Sequence, residues 1–124
     1  MSEVPELRVT PDKYLPFRYA GASGDFNPIH LDPELAKAVG FPSNILHGLY
    51  SMAQVARCAV QAGGGDLRRL ERLSVQFRGI GLPEEEIVVS GEMRDESDGA
   101  VVIDLVAQQG DRQIIKNAQA ELRR

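Results

Sequence analysis

The 124 residues contain only one cysteine, Cys58, and two histidines, His30 and His47. A lone cysteine excludes an internal disulfide framework and cannot by itself build a metal site. Cys58 lies among Ala56, Ala59 and Val60, the setting of a residue that packs a helix. Two histidines are too few for a His-rich metal cluster, which demotes zinc hydrolysis. No run is long and apolar enough to cross a bilayer, and Met1 to Asp12 lacks the charged start and apolar middle of a signal peptide. A cytoplasmic protein without a membrane partner is therefore expected. An excess of positive charge is missing too: the formal net charge is -4, which leaves no electrostatic footprint for nucleic acid. Arg68, Arg69, Arg72 and Arg78 form a basic patch in sequence, readable as a polyanion contact or as a solvated charged edge. Repeats, low-complexity tracts and inter-domain linkers are not evident, so residues 1–124 read as a single domain.

What is present is ordinary for a folded chain: 43% hydrophobic and 26% charged residues predict a buried core. Leu7 to Thr10 reads as a short extended piece stopped by Pro11, and Asp12 to Tyr19 as a loose helical turn interrupted by Pro16. Asp32-Pro33-Glu34 carries the cap, the first-turn proline and the early acid of a helix start, predicting a short helix from Pro33 to Val39 closed by Gly40. A longer helix is predicted from about Gly48 to Ala62, ended by Gly63-Gly64-Gly65. Its apolar positions Leu49, Met52, Ala53, Ala56, Ala59 and Val60 follow the helical period, and Val55, Cys58 and Ala62 widen the stripe. Ser51, Gln54, Arg57 and Gln61 remain as a narrow polar edge.

Beyond the glycines the period changes to two, through Leu73, Val75 and Phe77, then Ile87 and Val89, then Val101, Ile103 and Leu105, then Ile114, Ala118 and Ala120. The turn signals at Asp95 to Gly99 and at Gln109-Gly110-Asp111 join the last three strands into an antiparallel meander. A buried helix followed by antiparallel strands predicts an α+β fold with a sheet curled around that helix.

Polar groups crowd into Ser23-Gly24-Asp25-Phe26-Asn27-Pro28-Ile29-His30, between a glycine that permits a tight turn and a proline that extends Asn27. A carboxylate and an imidazole a water's width apart are the minimum equipment for moving a proton on and off carbon and oxygen. The same residues also fit a plainer role, with Asp25 capping a turn and His30 packed on one hydrogen bond. Asn44-Ile45-Leu46-His47-Gly48 falls where the long helix begins. Free N–H groups and the positive end of the helix dipole gather there, and Gly48 would let a ligand approach them. His47 reads either as part of that site or as a capping or packing histidine.

The run from Tyr19 to His30, with Asp32, Ala36, Phe41 and Ile45-Leu46-His47-Gly48, closely resembles the hydratase-2 motif of the MaoC-like, or (R)-specific enoyl-CoA hydratase, family. The resemblance covers about a third of the chain densely, and it implies a hotdog fold. It implies further that Asp25 and His30 are the catalytic pair, that Asn27 supports the loop, and that Gly48, with His47 beside it, forms the oxyanion or substrate-binding end. The implied substrate is an acyl thioester of coenzyme A or acyl carrier protein. The implied reaction is reversible hydration of a trans-2-enoyl thioester, with no metal or redox cofactor. The Arg68 to Arg78 region is a candidate for the coenzyme A phosphates.

Two features depart from the family. Gly79 to Glu86 replaces a Pro-Val…Pro-Gly-Asp turn, which bears on the acyl tunnel, and the region before Tyr19 is short. So small a curved sheet leaves edges that pairing would cover, so a homodimer is expected, with a heterodimer as the variant. The competing functions are a hotdog thioester hydrolase and a non-catalytic partner subunit of a dehydratase complex.

Overall fold

The computed structural model describes residues 4–124. In chain order these form β1 (Leu7–Val9), α1 (Leu15–Ser23), α2 (Pro33–Ala38), α3 (Gly48–Ala62), β2 (Leu70–Phe77), β3 (Ile87–Glu96), β4 (Ala100–Gln109) and β5 (Arg112–Arg123), with short 3-10 turns at Pro28–His30 and Leu67–Arg69. The strands make one antiparallel sheet in the order β1-β3-β4-β5-β2, so β1 and β2 are its edges. The expected meander is β3-β4-β5. Val55, Cys58 and Ala59 of α3 are fully buried against Ile87, Val89, Ile103, Ile115 and Ala120 of the sheet. Because α3 touches all five strands, the arrangement is the hotdog fold that the motif implies. Small side chains on α3 permit this close approach of sheet to helix.

The long helix begins at Gly48 and ends at Ala62, as its punctuation predicts; Gly63 donates to the Ala59 carbonyl and closes it. Asp32 caps α2 by accepting from the Glu34 and Leu35 N–H groups, and a cap of this kind contributes about 1 kcal/mol. No helix among the described residues is long and apolar enough to cross a membrane.

Two local expectations need correction. The segment from Asp12 to Tyr19 is not a loose turn broken by Pro16: α1 runs from Leu15 to Ser23 with Pro16 in its first turn, where a missing N–H leaves no helix bond unmade. Pro16 therefore starts the helix. The polar edge of α3 is also partly wrong, since Ser51 and Gln54 are buried whereas Leu49 and Ala53 are exposed. Helix α3 is covered on two sides, by the sheet and by Tyr19 of α1, whose ring packs against Tyr50 and His47. Gln54 tolerates burial because it donates to the Tyr50 carbonyl (3.3 Å) and accepts from Arg57 (2.6 Å).

The loop from Gly79 to Glu86 is pinned from β4. Gln109, 1% exposed, accepts from the Leu82 N–H (2.9 Å) and donates to the carbonyls of Leu82 (2.8 Å) and Glu85 (3.1 Å). The same loop offers the Gly81 carbonyl to the Leu46 N–H, two residues before α3 (2.8 Å). Replacing Gln109 by Ala should lower stability by about 1–3 kcal/mol, because it strands buried backbone groups without partners. Urea unfolding followed by circular dichroism checks this, and an unchanged midpoint would refute the pinning role.

Candidate active site

Gly24 ends α1 in the left-handed conformation (φ 80°), which turns the chain sharply into the Asp25 loop. The loop is laced internally: Asp25 N–H donates to Ser23 Oγ, Asn27 N–H to Asp25 Oδ1, and Ile29 N–H to Asn27 Oδ1, each at 3.2 Å. Asn27 is extended before Pro28, and its side chain caps the 3-10 turn that carries His30 inward. A five-residue step thus takes the chain from an exposed carboxylate to a buried imidazole.

Asp25 Oδ2 lies 3.8 Å from His30 Nε2, with the two side chains 53% and 10% exposed. That separation is too long for a direct hydrogen bond. The other ring nitrogen, Nδ1, lies 2.9 Å from the Ile45 carbonyl oxygen, which can only accept. Nδ1 therefore carries a proton, and whenever the ring is neutral Nε2 is an acceptor facing a second acceptor. Two acceptors at this distance suit a water molecule that donates one hydrogen to each. Asn44 donates to the His30 carbonyl (3.0 Å), and Ile45 N–H to the Ile29 carbonyl (3.0 Å), so the Asn44–Ile45 segment and the 3-10 turn hold each other in place.

His47 caps the start of α3 by position but makes no cap bond with its side chain. Its ring stacks on His30 at 3.9 Å between centroids and 23° between planes, and its Nε2 lies 3.0 Å from the Asp25 carbonyl oxygen. Nδ1 of His47 is buried without a partner. The next residue, Gly48, opens α3 in the first turn, where helix N–H groups have no intrahelical acceptor. A methyl group at Gly48 would come within 3.1 Å of the Phe77 ring, so glycine keeps this approach narrow.

Asp25, His47 and Gly48 line a cavity of about 300 Å³ together with Tyr19, Ser23, Leu49 and Phe77, whereas His30 and Asn27 are not part of its lining. The half-exposed ring of Phe77 and the side chain of Leu49 make one wall apolar. Phe77 keeps the inward parity of β2 but faces a residue without a side chain, so its ring stays uncovered. Composition and periodicity identified neither Leu49 nor Phe77 as a site residue; both read as core. A larger groove, about 740 Å³, lies on the outer sheet face among Glu92, Arg94, Asp104, Lys116 and Gln119 and includes none of the five expected site residues.

Asp25, His30 and His47 place three ligand-type atoms within 4.8 Å of one another. Their geometry opposes a shared ion. The stacked rings direct their in-plane lone pairs along nearly parallel planes 3.9 Å apart at the centroids, so the lone pairs do not converge on one point. Cys58 is buried against the Val89 and Pro5 carbonyls, and burial raises its thiol pKa, the opposite of what a nucleophile needs. In the arginine run, Arg68 pairs with Asp66 (3.0 Å), Arg72 approaches Glu121 (3.8 Å), and Arg69 donates to the Arg123 carbonyl (2.6 Å). Arg78 makes no side-chain hydrogen bond among the described residues.

Comparison with known proteins places these observations in a family. The family profile for the MaoC like domain matches residues 2–113. The peroxisomal enoyl-CoA hydratase 2 of Arabidopsis thaliana is 36% identical over 87 residues, covering 67% of this chain and 26% of the plant protein. A crystal structure of a MaoC-like dehydratase from Phytophthora capsici superposes with a TM-score of 0.82 at 30% identity, covering 97% of this chain and 40% of that one. A chain of the ChsH1-ChsH2 complex from Mycobacterium tuberculosis superposes with a TM-score of 0.85 at 21% identity, covering 99% and 94%. The chain spans 5% to 26% of the length of three curated relatives that it matches.

The two hydrogen bonds to carbonyls require opposite tautomers when both rings are neutral: Nδ1–H for His30 and Nε2–H for His47. Nitrogen-15 imidazole spectra should resolve the two forms, and two rings in the same tautomer would contradict this geometry.

Proposed function

The chain belongs to the MaoC-like domain family, and on that premise we propose that it is a hydro-lyase that adds water reversibly to a trans-2-enoyl thioester. The observation that carries the reading is the 3.8 Å gap between Asp25 Oδ2 and His30 Nε2, with Asp25 itself lining a cavity that reaches the start of α3. A water held by both donates its hydrogens to them and turns a lone pair toward C3. As the C3–O bond forms, one water proton passes to the Asp25–His30 pair and the C2–C3 π electrons move toward the carbonyl. The pair then returns a proton to C2 on the same face. Dehydration of the (R)-3-hydroxyacyl thioester is the reverse.

Negative charge develops on the thioester oxygen during this step, and the Gly48 N–H stabilises it at the positive end of α3. Phe77 and Leu49 shelter the acyl chain, and Asn27 keeps the loop in shape. The substrate's carrier is coenzyme A or acyl carrier protein, and Arg78 is the arginine of its run left available for a carrier phosphate. No metal ion or redox cofactor takes part in these steps. The relatives' names speak for this chemistry: a hydratase acts on an enoyl thioester in one and a dehydratase is named in the other.

A non-catalytic partner subunit is the second reading, favoured by the likeness to a chain of a two-protein complex. Against it stands the Asp25–His30 geometry, for which a subunit without catalysis has no physical use. Two copies are proposed to pair along β2, the longer sheet edge, near the uncovered Phe77. Sedimentation of the purified chain should give twice the monomer mass; a monomer that is fully active would refute the pairing.

Loss of absorbance of the conjugated enoyl thioester reports hydration, whereas release of free thiol would report hydrolysis and sink the lyase reading. Asp25→Asn and His30→Ala should each lower hydratase turnover by about 10²–10⁴-fold while the protein stays folded. Gly48→Pro removes the N–H at a helix position that tolerates proline and should cost about 10²–10³-fold in kcat. Gly48→Ala keeps the donor and is the control for crowding against Phe77.

A further inference from the structure

We propose that His47 is a positioning residue that holds the Asp25 carboxylate and the His30 ring in register with the Gly48 N–H, a role that rests on the hydratase reading above. The need arises from exposure. Residues 21–28 are all exposed, so the acid of the pair sits on a surface loop, whereas proton transfer tolerates little displacement. The internal bonds of that loop fix its shape but not its place. Asn27 is bonded into the adjoining 3-10 turn, its carbonyl accepting from the His30 N–H (3.0 Å), but among the described residues the bond from His47 Nε2–H to the Asp25 carbonyl (3.0 Å) is the one that ties residues 25–27 directly to an element beyond that turn.

The ring that supplies this bond is itself held firmly. His47 is 3% exposed and packs against Tyr19 at 4.7 Å and against His30 at 3.9 Å. The near-parallel stack on His30 limits rotation of the base about the axis that its Ile45 bond leaves free. His47 also immediately precedes Gly48, so one residue touches the acid's loop, the base's ring and the oxyanion end of α3.

Its unsatisfied atom points the same way. A histidine oriented for helix stability alone would accept a first-turn N–H of α3, yet His47 makes no cap bond and leaves Nδ1 buried without a partner. Turning the ring toward Asp25 keeps the first N–H groups of α3 free for substrate. The buried lone pair is the cost of that orientation.

Two substitutions separate the parts. His47→Phe keeps the ring and removes the donor; His47→Gln removes the ring but can present an N–H near the Nε2 position. His47→Phe should lower kcat by about 10²-fold with KM little changed, and His47→Gln should recover at least about tenfold of that loss. Wild-type kcat in His47→Phe would reduce His47 to a packing residue and overturn the proposal. A raised KM with intact kcat would overturn it in favour of substrate contact. Amide spectra give a readout independent of turnover: the Asp25 and Asn27 signals should shift or broaden in His47→Phe and return in His47→Gln. A wild-type chain inert toward enoyl thioesters would sink the hydratase reading alone, and unchanged loop signals in His47→Phe would sink the positioning role.

Discussion

His30 turns one ring nitrogen to the Ile45 carbonyl and the other toward Asp25, and the first contact decides the second. A carbonyl oxygen accepts only, so it draws the ring's proton to Nδ1 and leaves Nε2 with a lone pair. Were the tautomer reversed, Nε2–H would point at the carboxylate and the pair would close on itself. The backbone of one segment thereby sets the chemical state of a side chain fifteen residues away. That segment is placed by the Gly81 carbonyl, which receives the Leu46 N–H, and the Gly79 to Glu86 loop is fastened in turn by Gln109 of β4. A chain of ordinary hydrogen bonds runs from the sheet to the imidazole.

Much of this was legible in the residues. Glycine and proline are strong local signals, so Gly63-Gly64-Gly65 marked the end of α3 and Asp32-Pro33 the start of α2 without any knowledge of packing. Period-two patterning gave the meander. The motif around Asp25 and His30 identified the family because short-range spacing survives in sequence. What escaped depended on contacts between distant segments: Tyr19 of α1 packs on Tyr50 and His47 at the start of α3, and Ser51 and Gln54 are buried despite their polarity. Pro16 looked like a break because its position in the first helical turn was not apparent. The stack of His47 on His30 joins residues from two elements, and no pattern within either element announces it.

The same limit applies to the apolar wall. Leu49 follows the helical period and Phe77 the strand period, so both were counted toward the core. They meet instead at the one place where α3 lacks a side chain, and there the sheet and helix fail to close. Site and core are therefore built from one pattern, with Gly48 as the interruption. The arginine run illustrates the opposite case: a charge cluster in sequence becomes a set of local pairs and backbone contacts once Asp66, Glu121 and Arg123 are near. Exposed pairs of this kind contribute little to stability, but they do consume charge that a polyanion would otherwise meet.

Helix α3 has its chemistry at the Gly48 end, and its fifteen residues run about 22 Å to the other. At that far end the sheet carries the β3–β4 hairpin, whose tip at Ser97 to Gly99 is exposed and lies beside Leu122 and Arg123 through the β4 register. A fluorophore or surface tether grafted onto this tip would stand a helix length from the reacting atoms. The scaffold is thus polarised, with one pole that must not be disturbed and another that offers an attachment point for immobilised or reporter forms of the protein.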